Sequence, residues 1–214
     1  MSDDAIRIIR EDYDRLAEEY TRHIADELQH KPLDQQLLNR FADDVKGGET
    51  CDLGCGPGHV ARYLHERGAK VFGLDLSPAM VAQARRLNPA ISFREGNMLA
   101  LKISDGSLAG VAAFYAIVNL PKESLPRAFA EMLRILQPGG LLLLAFHIGD
   151  EVLQEGEVWG KKISMDFFLL NPADIRKRLE GAGFVVEEVI EREPYPDVEY
   201  QSRRAYIFAR KSFS

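Results

Sequence analysis

Cys51-Asp52-Leu53-Gly54-Cys55-Gly56-Pro57-Gly58 is the stretch on which the fold turns. A short apolar run enters a bend with glycine at every second position, and a helical pattern leaves it at 60–67. Gly54, Gly56 and Gly58 remove a Cβ wherever the backbone would approach a ligand, and they permit the positive φ of a tight turn. Such bends are common, and the next strand makes this one specific. That strand, 70–74, runs into Asp75, 21 residues after Gly54. A carboxylate at that place can accept two hydrogen bonds from the vicinal hydroxyls of a ribose. Ser77-Pro78 then supplies a helix cap and a proline at the first helical position, so capping does not need Asp75. Bend and acid together point to an adenosine-containing ligand.

Outward from this pair the chain alternates short apolar strands with amphipathic helices. Strands are expected at 50–53, 70–74, 91–94, 110–116 and 141–146, and helices at 60–67, 78–87 and 125–136. Gln137-Pro138-Gly139-Gly140 stops the last of these helices. Asn171-Pro172 opens another at 173–182, which ends at Gly183. Two more strands, 184–191 and 204–209, have no helix between them and must form an antiparallel pair. Upstream, Ile6, Ile9, Tyr13, Leu16, Tyr20, Ile24 and Leu28 recur at helical spacing, and a second helix fills 33–45 before Gly47-Gly48. Buried strands separated by helices predict a doubly wound α/β sheet covered on both faces. The expected division is an N-terminal helical segment, 1–46, and an α/β domain, 47–214, with an insertion near 149–170.

The 214 residues carry 27 Lys+Arg against 33 Asp+Glu, a net charge of −6 that argues against a partner tracked by its phosphates, nucleic acid included. Hydrophobic residues at 46% are too many for a disordered chain, and no apolar run approaches the length of a bilayer crossing. The N-terminus lacks the apolar core of a signal peptide. Cys51 and Cys55, with no nearby histidine partners, read as small buried thiols and not as a disulfide or metal site. A reducing cytoplasm suits them. No metal is expected, and the chain is read as a monomer or homodimer.

The ligand's charge follows from the bend. A dinucleotide pyrophosphate prefers G-x-G-x-x-G, whereas here the spacing is G-x-G-x-G with Asp52 two residues ahead. An extra carboxylate repels a pyrophosphate and suits a cation. S-adenosylmethionine carries a sulfonium and an ammonium and has no phosphate.

At this point the sequence resembles the class I S-adenosylmethionine-dependent methyltransferases. The resemblance rests on 52–58, on Gly73-Leu74-Asp75-Leu76-Ser77-Pro78-Ala79-Met80, and on Leu133-Arg134-Ile135-Leu136-Gln137-Pro138-Gly139-Gly140, in that order. It implies a Rossmann-like mixed sheet of about seven strands, the last antiparallel, with the N-terminal helices as a lid. It also implies roles for individual residues. Asp52, Gly54, Cys55, Gly56 and Gly58 would hold the methionyl part of the cofactor, and Asp75 the ribose, with Leu76 and Met80 beside it. Asn97 and Met98 stand where the family reads the adenine. Ala113 and Phe114 at the end of the fourth strand, and Tyr20 of the first helix, complete the expected cofactor contacts. In a subgroup of small bacterial members, Asn119 is often a histidine.

Methyl transfer from a sulfonium is an in-line displacement, so the protein mainly supplies alignment and dryness. A base is needed only where the acceptor must lose a proton. His147, after the fifth strand and near Asp150, is the expected candidate, titrating near neutrality; His23, Glu157 and Glu193 are weaker ones. Tyr13 and Tyr20, with Trp159, Phe167 and Phe168 of the insertion, are candidates for an acceptor pocket. The expected activity is methylation of a small organic acceptor at O, N or C. A cofactor-binding regulator without turnover and a methyltransferase acting on a macromolecule stay open as alternatives.

Overall fold

The computed structural model describes residues 1–213. Helix α1 (Asp3–Ile24) begins under a Ser2 cap whose hydroxyl accepts from the Ala5 amide, and a 3-10 turn, Glu27–His30, leads to α2 (Pro32–Asp44). The single helix expected through Leu28 therefore ends at Ile24. The α/β domain follows as β1 (Glu49–Leu53), α3 (His59–Glu66), β2 (Lys70–Asp75), α4 (Pro78–Leu87), β3 (Ser92–Glu95), β4 (Leu108–Phe114), α5 (Leu125–Ile135) and β5 (Leu136–His147). After the insertion come α6 (Pro172–Ala182), β6 (Phe184–Arg192) and β7 (Arg204–Lys211).

These seven strands form one sheet in the order β6-β7-β5-β4-β1-β2-β3. β7 runs antiparallel to both β5 and β6, and every other pairing is parallel. The strand order reverses between β1 and β4, where open α/β sheets bind their ligands. β4 is buried along its whole length. Gly110 allows the closest packing on it, because a Cβ there would meet the Phe41 ring of α2 at 2.7 Å. The larger core lies on the α5–α6 face and includes Phe129, Phe146 and Ile175, while Leu38, Phe41, Tyr206 and Phe208 fill the face covered by α2 and α3.

The insertion has secondary structure that its sequence did not suggest. Val152–Leu153 pairs with Phe167–Phe168, and Glu157–Val158 pairs with Lys161–Lys162 around a turn at Trp159-Gly160. Each ladder is only two residues long, below the reach of a periodicity argument.

Candidate functional site

A cleft, partly open to solvent, lies at the carboxyl ends of β1, β2 and β4. Its floor is the glycine bend. Gly54 has φ +73°, and a Cβ there would overlap the Ala116 side chain at 2.6 Å; Gly56 has φ +51° and lies 3.6 Å, by the same measure, from the Tyr20 ring. A side chain at either place would meet a conformation L-residues rarely adopt, and at Gly54 a steric wall as well.

Asp75 closes the neighbouring strand and points to the bend. One carboxylate oxygen accepts from the Gly56 amide at 2.8 Å and the other from the Ser77 amide at 2.9 Å. Burial pushes its pKa up, against the pull of the Ser77, Gly56 and Leu76 amides and with a further push from Asp14. A carboxylate has about four acceptor positions, so these amides leave acceptor capacity for a ligand. Leu76, Met80, Asn97 and Met98 border the same end of the cleft, and Phe114, Tyr115 and Asn119 border the other. Ile9, Tyr13 and Tyr20 of α1 flank it. No Lys, Arg or His borders the cleft among the described residues, so it offers no cationic side chain to a phosphate.

Residues 51–140 match a family described as a methyltransferase domain. A probable S-adenosylmethionine-dependent methyltransferase of Mycolicibacterium smegmatis is 30% identical over 164 residues, 75% of this chain and 60% of that one. A malonyl-[acyl-carrier protein] O-methyltransferase of Pectobacterium atrosepticum is 34% identical over 113 residues, covering 53% and 44%. Among solved structures, magnesium protoporphyrin IX methyltransferase from Synechocystis, with bound S-adenosylmethionine, superposes with a TM-score of 0.72 at 19% identity, over 99% of each chain. Residues 51–140 are a methyltransferase domain, and the motifs they carry are those by which the sequence resembles the class I S-adenosylmethionine-dependent type. The matches span about half the length of the curated relatives.

In this chain, five residues expected at the cofactor or at the chemistry stand back from the cleft. Asp52 is buried beneath the bend, where one oxygen accepts from the Ala61 amide at 2.9 Å. It thereby satisfies an orphan donor in the first turn of α3, whose N-cap, Gly58, has no side chain to do so. Burial raises the Asp52 pKa to about 7, even with His59 and the Ala61 amide pulling it down. Cys55 points into a small core with Ala61, Val81 and Phe93. Gly58, at φ +80°, is required because a Cβ would strike the Phe93 ring at 2.7 Å. Ala113 faces the α5 side of the sheet, since alternate residues of a strand point to opposite faces.

The fifth, His147, lies behind Tyr115, whose ring is 4.9 Å away, and its Nδ1 is 2.7 Å from the Ser202 hydroxyl. Burial, followed by the charges of Arg204 and Lys31, pushes its pKa down to about 3. A neutral, half-buried imidazole replaces the group expected to titrate near neutrality. The weaker base candidates fare no better: His23 is stacked on Trp159 and Glu193 pairs with Arg203 on the surface. Glu157 lies in the small ladder, away from the cleft.

Asn97 borders the cleft, but its side-chain carbonyl already accepts from the Leu99 amide at 2.9 Å, fixing a local turn. Tyr115 was one aromatic among several in the sequence. It has φ +53°, an unusual backbone for a bulky residue, and it borders the cleft. Behind it lies a buried ionic cluster that no local pattern announces. The Glu199 side chain, 3% exposed, receives Arg192, Arg204 and, at 3.3 Å, Lys31. Arg192 and Tyr206 in turn bind Asp34, at 3.0 and 2.6 Å. Lys31 also binds Glu27 at 2.7 Å. Burial would raise the Glu27 carboxyl, but His59 and Lys31 outweigh it and bring it down to about 2.

Proposed function

We propose that this chain transfers the methyl group of S-adenosylmethionine to a small organic acceptor. The observation that carries the reading is the Asp75 carboxylate reaching across to the Gly56 amide at the edge of a cleft bordered by no Lys, Arg or His side chain among the described residues. In this reading Gly54, Gly56, Phe114 and Tyr20 hold the methionyl part, Asp75 takes the ribose hydroxyls, and Asn97 and Met98 flank the adenine. The cofactor supplies an electrophilic methyl on a good, neutral leaving group. The protein supplies alignment and the exclusion of water, with Ile9, Tyr13 and Tyr20 closing the side of the cleft.

Asp75 is the one carboxylate bordering the cleft among the described residues, and it is engaged by two amides. The acceptor therefore arrives as a nucleophile in its own right, at an ionised oxygen, an amine or an activated carbon. The N-terminal segment 1–46 acts as the lid of domain 47–214. A small, non-nucleic-acid acceptor matches the acidic chain, and a reducing, cytoplasmic setting matches the two unpaired buried thiols. No described helix is long and apolar enough to cross a membrane.

The test is release of adenosylhomocysteine against a panel of carboxylates, phenols, amines and quinols. Acceptor-dependent turnover supports the reading. Tight cofactor binding with no turnover on any acceptor, macromolecular ones included, supports a regulator instead.

A further inference from the structure

The insertion packs on α1. Ile163 and Met165 form a small core with Leu16, and Tyr13, Tyr20, Val158 and Phe167 pack around it. Asp12 is fully buried at this contact, with one oxygen accepting from the Ser164 and Met165 amides at 2.7 Å each. At the turn of the insertion, Trp159 lies stacked on His23, with ring centroids 4.4 Å apart, and edge-on to Tyr20. Helix and insertion thus make one packed body beside the cleft.

This body is joined to the loop after β4 by a single side chain that reaches both of its parts. Asn119 is 7% exposed and borders the cleft. Its carbonyl oxygen accepts from the Tyr13 hydroxyl of α1 at 2.8 Å, while its amide nitrogen donates to the Asp166 carbonyl of the insertion at 2.8 Å. The other ties are separate. Asp14 of α1 receives the Ala79 amide of α4 at 3.0 Å, and the Phe168 amide donates to the Val118 carbonyl at 2.7 Å.

We propose that Asn119 is a positioning residue that couples helix α1 to the insertion, so that the two release from the cleft together when the cofactor exchanges. The coupling stands on the hydrogen bonds themselves; its link to cofactor exchange rests on the function proposed above. An amide suits this place because it accepts on one side and donates on the other. A carboxylate would keep the Tyr13 bond and repel the Asp166 carbonyl.

Two variants separate the branches: Tyr13→Phe cuts the helix side and Asn119→Asp cuts the insertion side. Hydrogen exchange reads the coupling without any ligand. With the coupling, Tyr13→Phe speeds exchange at the Phe168 amide, and Asn119→Asp speeds it at the Ala79 amide, about three- to tenfold, the worth of one hydrogen bond. Release of adenosylhomocysteine, followed by the fluorescence of Trp159, the only tryptophan, should quicken by a similar factor in both variants. The double variant should be no faster than either single one. Each variant loosening only its own segment, with melting temperatures showing both still folded, overturns the proposal. Failure of the unaltered protein to bind adenosylhomocysteine overturns the functional reading and leaves the exchange result to decide the coupling.

Discussion

Asp52 shows how an acid in the glycine motif serves the fold before any ligand arrives. Its carboxylate, buried under the bend, holds the Ala61 amide and has its pKa raised from the usual carboxylate range to about 7. The folded state thus binds a proton that the unfolded chain has already released between pH 4 and 7. This contribution to stability is largest near pH 4 and disappears as pH rises through 7. Asp52→Asn keeps an acceptor for Ala61 and removes the charge, so its stability relative to the parent should improve from pH 4 to pH 8. The change should be on the order of 4 kcal/mol, read by urea denaturation at each pH. A difference that does not vary with pH would show that Asp52 is not held near neutrality. At Gly54, substitution by alanine combines the strain of φ +73° with overlap on Ala116. It should cost about 1–3 kcal/mol of stability and abolish cofactor binding, measured by melting and calorimetry. Both glycine and acid could be read from the sequence, but the direction of the Asp52 side chain could not, because it depends on where α3 begins.

Among the elements, the strands and helices of the α/β domain follow from local signals: apolar runs for β1 to β5, Ser77-Pro78 and Asn171-Pro172 for the starts of α4 and α6, and Gly183 for the end of α6. Longer-range partnerships were hidden. Asp12 and Asp14 look like ordinary solvent-facing acids of an amphipathic helix, yet one is buried against the insertion and the other binds the start of α4. Glu199 sits in the irregular loop between β6 and β7 and gathers Lys31, Arg192 and Arg204 from three other places in the sequence. Charges this well enclosed are costly to leave unpaired. Glu199→Ala should therefore destabilise the protein by about 3–5 kcal/mol, seen as a lowered urea midpoint. A loss below about 1 kcal/mol would mean that water reaches the cluster and screens it.

Across the whole molecule, the β1/β4 reversal, the glycine bend and Asp75 bring the ligand-binding signals of the sequence to one edge of the sheet. Helix α1 and the insertion, far apart in the sequence, meet beside that edge. The expected histidine base is replaced by a half-buried neutral imidazole that does not border the cleft, so the pH dependence of methyl transfer should follow the acceptor's own ionisation. His147→Gln should leave that profile in place, measured as kcat/KM between pH 6 and 9; loss of its alkaline-side rise would return His147 to the chemistry. The central claim, a cleft built for a phosphate-free cationic nucleoside, is met most directly by calorimetric titration of the folded protein with S-adenosylmethionine and, separately, with NAD. One-to-one binding of S-adenosylmethionine, lost in Asp75→Ala, with no heat from NAD, is the predicted result. Binding of NAD in its place, or S-adenosylmethionine affinity that survives Asp75→Ala, would contradict it.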